Sequence, residues 1–232
     1  MKNNIQTLGK TGYIAAFVLT IVGVYACLSR YILPHGFHLW LANILYGTDY
    51  TKDALPALAS KPGIEIVHRL FGAVYLVIGL MQFSSSFRRK RPKLHRSLGK
   101  IFMIFSITGA ASGILFALLV PFAGVLETIP VIMFGGFMGY AIYKAYIHIR
   151  RGEVMLHRAW VARSYAIGLG VSTIRVFYLV LQYSTPNLDQ RDMFMVAVWA
   201  GWIITLGLVE MYNQMLQAEQ QKKLSHRNQA VA

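Results

Sequence analysis

Six stretches of the chain, roughly residues 11–33, 64–83, 98–122, 129–149, 159–183 and 193–214, are each apolar for about twenty residues. That repetition dictates the fold class, because about 20 predominantly apolar residues are what a helix needs to cross the hydrocarbon of a bilayer. With 56% of 232 residues hydrophobic and 14% charged, the chain carries more apolar surface than a soluble domain could bury. The expectation is an all-α polytopic membrane helix bundle, a single transmembrane domain of six spans followed by a cytoplasmic tail at 215–232. One cysteine, Cys27, excludes an internal disulfide and any cysteine-based zinc or iron–sulfur site.

The net charge of +14 has to be sorted by loop before it means anything. With the N-terminus inside, 17 of the 23 Lys and Arg residues fall on the inner side: Lys2, Lys10, the turns around 84–100 and 144–163, and the tail. Asp49, Asp53, Glu65, Glu127, Asp189 and Asp192 fall on the outer side. Basic loops mark the cytoplasmic face, so an inner membrane with both termini in the cytoplasm is the expected location. The first span reads as a retained helix. Tyr25 in Val24-Tyr25-Ala26-Cys27 is too bulky for a lipoprotein cleavage box, and the apolar run continues to Leu33.

The densest basic cluster, Arg88, Arg89, Lys90, Arg91, Lys93 and Arg96 within 87–100, lies beside a helix end. There it attracts anionic lipid headgroups at about 1 kcal/mol per residue. A ten-residue turn clamped between two spans is a poor reader of a nucleic-acid groove, so lipid is the expected partner and nucleic acid is not. In the longest outer loop, HGFHLWLANILYG (35–47) places Phe37, Leu41, Ile44 and Leu45 at helical spacing, with Trp40 and Tyr46 suited to the interface. This predicts a short interfacial helix, followed by a loop to residue 63 with Pro56 and Pro62 as breakers.

Three His-Arg pairs, His68-Arg69, His95-Arg96 and His157-Arg158, stand at the lips of apolar runs. At 100° per residue, positions i, i+4, i+7, i+11 and so on share a helix face. The second span then aligns His68, Gly72, Tyr75, Gly79 and Gln82. The third aligns His95, Gly99, Phe102, Ser106, Gly109 and Gly113, and the fifth His157, Val161, Ser164, Gly168, Val171 and Arg175. Lipid rejects His, Gln and Arg, so these stripes are expected to face the bundle interior. Gly109/Gly113 and Gly135/Gly139 read as packing notches. Depth separates the histidines: His68 lies near the outer edge, while His95, His148 and His157 gather at the inner one. Arg163 and Arg175 lie about two turns inside opposite ends of the fifth span, where a charge costs about 2.5–3.5 kcal/mol unless paired or hydrated. Glu65, Glu127 and Glu210 are the acids at matching depth; a propionate, a quinone carbonyl, a lipid phosphate or a substrate anion are the partners from outside the chain.

These motifs resemble a bacterial family of predicted multi-span membrane proteins of unknown function, over roughly residues 64–180. The resemblance is carried by His68-Arg69 with Gly72, Tyr75, Gly79 and Gln82, by His95-Arg96 with Gly99, and by Arg175. Its most specific part is His157-Arg158-Ala159-Trp160 followed by Arg163-Ser164-Tyr165-Ala166, with Val161 where Met is expected. It implies that His68, His95, His157, Arg163 and Arg175 form one constellation, and it brings no activity with it.

Four readings of that constellation stay open. In the redox reading, haem b or a quinone is held by a cofactor-binding set of His68, His95, His148, His157, Arg163, Arg175, Tyr75 and Gln82, because imidazoles are good axial iron ligands and arginines neutralise propionates. In the metal reading, His35-x-x-His38 with His68 forms a three-histidine zinc or copper site at the outer face. In the carrier reading, His and Arg line a cavity for a small anionic or lipid-like ligand. In the last, the pairs are interfacial anchors of a structural or assembly factor. A Gly-rich phosphate loop, H-E-x-x-H and G-x-S-x-G are all missing from the sequence. Whether the protein is an enzyme is thereby left open.

Overall fold

The computed structural model describes residues 2–229, so the last three residues of the expected tail lie outside the described part. Helices account for almost all of it, in the order α1 (Lys2–Ile32), α2 (His35–Asp49), a π-helical turn (Tyr50–Ala54), α3 (Leu55–Ala59), α4 (Pro62–Phe83), α5 (Ser85–Lys90), α6 (Pro92–Leu119), α7 (Val125–Arg150), α8 (Val154–Ser184) and α9 (Gln190–Gln229). Among the described residues six helical segments are long and apolar enough to cross a membrane: Thr7–Ile32 in α1, then α4, α6, α7, α8, and Gln190–Lys222 in α9. The protein is thus an all-α polytopic bundle with six candidate spans. An even number of crossings brings the chain back to the face where it began, and Gly9 of α1 indeed packs on Tyr212 of α9. That end is called here the terminus face; the other, which carries α2, is the α2 face.

Proline placement explains the departures from the expected boundaries. Pro62 and Pro92 occupy the first turns of α4 and α6, where the missing N–H would have had no helical partner in any case. Pro62 therefore starts a helix instead of breaking a loop, and α6 takes in the basic residues from Lys93 onward. The segment 48–63, expected as loop, is largely coiled into the π turn and α3. At Gly47 the backbone kinks with φ 81°, and a Cβ there would fall 2.4 Å from the Gln190 side-chain oxygen. That same oxygen accepts the Asp49 N–H at 3.1 Å, tying the end of α2 to α9. In the opposite turn, Ser84 caps the short α5 by accepting the Phe87 N–H at 3.2 Å.

Helix α8 is the centre of the bundle. Buried residues make up 56% of its most apolar stretch, against 17–33% in the other five spans, and it packs on α9, α7, α1, α2 and α4. Glycines make this possible, since close approach of helices in lipid depends on small residues at the crossing. A Cβ on Gly79 of α4 would lie 2.2 Å from the Tyr165 ring of α8, and one on Gly168 of α8 would lie 2.3 Å from the Tyr75 ring of α4. Each tyrosine occupies the slot left by the other helix's glycine. The notches expected on α6 and α7 are only half used. Gly113 accommodates His68 and Gly135 accommodates Ile114, whereas a Cβ on Gly109 or Gly139 would meet nothing within 4 Å.

Candidate functional site

The polar stripes of α4, α6 and α8 meet in the bundle interior as three layers. At mid-depth Tyr75 donates its hydroxyl to the Ser164 carbonyl (2.8 Å), and the hydroxyls of Ser106 and Ser164 are 3.0 Å apart. Both serines are fully buried. The Tyr75 ring stacks on Phe102 with centroids 4.6 Å apart. Beside them Tyr165 donates to the Leu76 carbonyl (2.9 Å) and lies 2.8 Å from the Thr20 hydroxyl. This layer is densely filled by aromatic rings, and its polar atoms are largely satisfied within the protein.

The terminus-face layer holds the histidines expected there. His157 donates its Nδ1–H to the Ala145 carbonyl of α7 at 2.9 Å, which fixes the ring and leaves Nε2 as the remaining nitrogen. His148 is bonded to Glu153 across the α7–α8 turn. Among the described residues, the buried Nδ1 of His95 and the side-chain nitrogen of buried Gln82 have no hydrogen-bond partner. The Gln82 oxygen lies 3.6 Å from where a Cβ on Gly99, one turn after His95, would stand.

The α2-face layer is the most highly charged part of the interior. Buried Glu65 accepts Arg30 Nη1 at 2.8 Å and Arg69 Nε at 3.0 Å, while Arg69 Nη1 also donates to the Ala26 carbonyl at 2.9 Å. Arg175 of α8 donates to the Val171 carbonyl of its own helix at 2.6 Å and, among the described residues, has no carboxylate partner. His68 makes its hydrogen bond to α6: its Nδ1 is 3.0 Å from the Ser112 hydroxyl, and its ring stands edge-on to Phe116.

Between these elements lies a small cavity of about 10 Å³, lined by Ser29, His38, Tyr46, Arg69 and Arg175 with apolar Ala26, Ala42 and Leu55. That volume is room for one water-sized sphere. His38 is 7% exposed, and among the described residues its Nε2 has no hydrogen-bond partner. Burial, and then the charges of Arg69, Arg30 and His35, hold the His38 imidazole below its ordinary pKa against the opposing pull of Glu65.

The expected residues thus divide among sites. Tyr75 belongs to the middle layer, Gln82, His95, His148 and His157 to the terminus face, and His38, His68 and Arg175 to the α2 face. His35, His38 and His68 are not assembled as a metal-binding set: His35 is exposed, and His68 turns to α6. Among the described residues no group of three or more His, Cys, Asp or Glu side chains could hold a metal ion. Of the two deep arginines, Arg163 takes Glu210, the acid expected at its depth, through a bidentate pair at 2.8 and 2.9 Å. Arg175 does not take Glu65, which Arg30 and Arg69 already hold. The periodicity missed Ser29 and Arg30, because α1 carries no His-led stripe to flag them.

Residues 65–213 match a family described as "Predicted membrane protein (DUF2306)", and the chain belongs to it. No curated protein matches the chain, and no solved structure does.

Proposed function

We propose that this integral membrane protein binds a small anion in the α2-face cavity. The observation that carries the reading is the lining itself. Two guanidiniums, from Arg69 and Arg175, a buried serine and the unpartnered Nε2 of His38 converge on one void, and no carboxylate is among its lining side chains. A site rich in donors and short of acceptors is complementary to negative charge. Its size suits a halide-sized ion or a single oxygen of a carboxylate or phosphate whose remainder lies at the mouth. The basic-loop asymmetry supports a location in the bacterial inner membrane with both termini cytoplasmic, so that the cavity faces the outside. It also supports anionic headgroups as the partners of residues 87–100 on the inner leaflet. The test is calorimetric titration of the purified protein with chloride, acetate and phosphate. Arg175→Leu is expected to weaken binding at least tenfold, while Arg191→Ala, an exposed arginine of the same face paired with Asp53, leaves it unchanged. Equal binding by wild type and Arg175→Leu overturns the reading.

A second reading rests on the terminus face. The Nδ1–H of His157 on a carbonyl, with the unpartnered His95 Nδ1 and Gln82 nitrogen nearby in the same layer, is the kind of support that a haem-ligating or quinone-binding imidazole needs. A visible spectrum of the purified protein tests the haem form directly: a Soret band lost in His157→Ala supports it, and a featureless spectrum removes it.

A further inference from the structure

A second opening in the bundle lies far from the anion cavity. Between α7, α8 and α9, on the terminus-face half, is a groove of about 330 Å³ walled by Phe134, Phe137, Ile203 and Leu206 and closed at one end by Arg163 and Glu210. Its size falls in the range of small-molecule sites. Along α9 the charged end at Glu210 and the apolar wall at Ile203 are seven residues apart, a rise of about 10 Å. On α7 the same spacing separates Lys144 from Phe137. Arg163 is nine residues from the start of α8, about 13 Å in from that end. The groove is therefore polar toward the terminus face and apolar toward the middle of the bilayer.

The polar end is built. The Arg163 guanidinium is forked onto Glu210 and lies 4.5 Å from the centre of the Trp160 ring, and the Lys144 ammonium approaches the same ring at 5.8 Å. Trp160 also touches Phe137 of the groove wall, with ring centroids 6.4 Å apart. Lys144 does not line the groove but stands beside this end, at the Trp160 ring that it shares with Arg163; with Arg163 paired to Glu210, it adds one positive charge there, the complement of a phosphodiester. The wall is open to lipid: Ile203 is exposed, and a Cβ on Gly207 would meet nothing within 4 Å.

We propose that this groove is a binding site for one phospholipid of the terminus-face leaflet, with an acyl chain along Phe134, Phe137, Ile203 and Leu206 and the phosphate at Lys144 and Arg163. The gradient from charge to hydrocarbon, aligned with the bilayer normal, selects an amphiphile over a soluble anion. The residual positive charge selects a phosphate-bearing one over an uncharged isoprenoid.

Gly207→Phe tests it, because Gly207 lines the groove and a Cβ there would meet nothing within 4 Å. Gly139→Phe, at an equally open position of α7, is the matched control. The full-length protein, stripped of lipid in detergent, is titrated with phosphatidylethanolamine or phosphatidylglycerol and read by native mass spectrometry. One lipid per chain is expected for wild type and Gly139→Phe, with at least fivefold weaker binding for Gly207→Phe and for Lys144→Gln. Retention of the same lipid by both Gly207→Phe and Lys144→Gln overturns the proposal. So does a wild-type protein whose one tightly held amphiphile contains no phosphorus.

Discussion

Replacing Gly79 by alanine adds one methyl group at the most crowded crossing of the bundle. The new Cβ would stand 2.2 and 2.4 Å from two Tyr165 ring carbons and 3.0 Å from Phe102. Ordinary contact begins near 3.4 Å, so the tyrosine ring must retreat by about 1.2 Å. It has little room to do so, because its hydroxyl is tied to the Leu76 carbonyl and to Thr20 and its outer face is covered by Phe83. Overpacking of this kind costs about 1–3 kcal/mol, and a stretched or broken hydrogen bond adds about 0.5–1.5 kcal/mol. Better helix propensity returns up to about 1 kcal/mol. The net loss is about 0.5–4.5 kcal/mol, which at roughly 2–4 °C per kcal/mol for a chain of this size lowers the melting temperature by roughly 1–18 °C. Thermal unfolding in detergent, followed by size-exclusion chromatography, measures it against Gly109→Ala and Gly139→Ala, whose new methyl groups meet nothing. The double variant Gly79→Ala/Tyr165→Leu, which makes room for the methyl, is expected to melt close to Tyr165→Leu alone, since contacting residues do not add. If Gly79→Ala melts with the two control variants, the reciprocal tyrosine–glycine packing does not hold the bundle.

Three further outcomes follow from the same contacts. Glu65→Gln removes the buried charge shared by Arg30 and Arg69 and is expected to cost about 3–5 kcal/mol, whereas Asp53→Asn, in a pair more than half exposed on both sides, should leave the melting curve unchanged. Ser164→Ala strips the link to Ser106, whose hydroxyl keeps its contact with Tyr75, a loss of about 0.5–1.5 kcal/mol visible in the same unfolding assay. Anion affinity at the α2-face cavity should rise with acidity: His38 is held below its ordinary pKa, an anion favours its protonated form, and binding therefore takes up a proton. Titrations should show affinity rising as pH falls through the pKa that His38 has in the complex and levelling off below the lowered pKa of the empty site, with His38→Gln abolishing the slope; a wild-type profile without slope would refute the coupling.

Much of the architecture was legible because the bilayer reads sequence coarsely. Lipid demands length and apolarity, so the spans show as runs, and the 100° rotation per residue then places His68, Tyr75, Ser106 and Ser164 on inward faces without any knowledge of neighbours. Span ends were less legible, because hydropathy marks where hydrocarbon stops while the helix continues: α6 begins at Pro92, and α9 runs on past the apolar stretch to Gln229. The pairings inside the site were legible only where depth allowed a single choice. Glu210 was the acid at the level of Arg163, and the two meet. Near the α2 face Arg30, Arg69 and Arg175 compete for Glu65, and a periodicity argument cannot say which of them loses. Nor does it report rotation about a side chain's own bonds, which turns His68 toward Ser112 and away from His38.

Arg163 and Arg175 lie on one helix, about equally deep from opposite ends, and the contrast between them is the strongest physical argument for the anion site proposed at the α2 face. Each incurs about 2.5–3.5 kcal/mol for its depth unless compensated. Arg163 is compensated twice over, by a forked carboxylate and by the face of Trp160. Arg175 has a carbonyl one turn back on its own helix and then the cavity. At an effective dielectric of about 20, one anion at 4 Å from a guanidinium recovers about 4 kcal/mol, enough to offset the whole burial cost. A single water in that space would supply an acceptor without the charge. A His38 held below its ordinary pKa fits the proposed site: a permanently charged third cation would deepen the imbalance of the empty cavity, whereas an imidazole whose pKa an anion raises takes up a proton on binding. A structural arginine needs no such arrangement, because a second carboxylate within reach of Arg175 would have done the work permanently, as Glu210 does for Arg163.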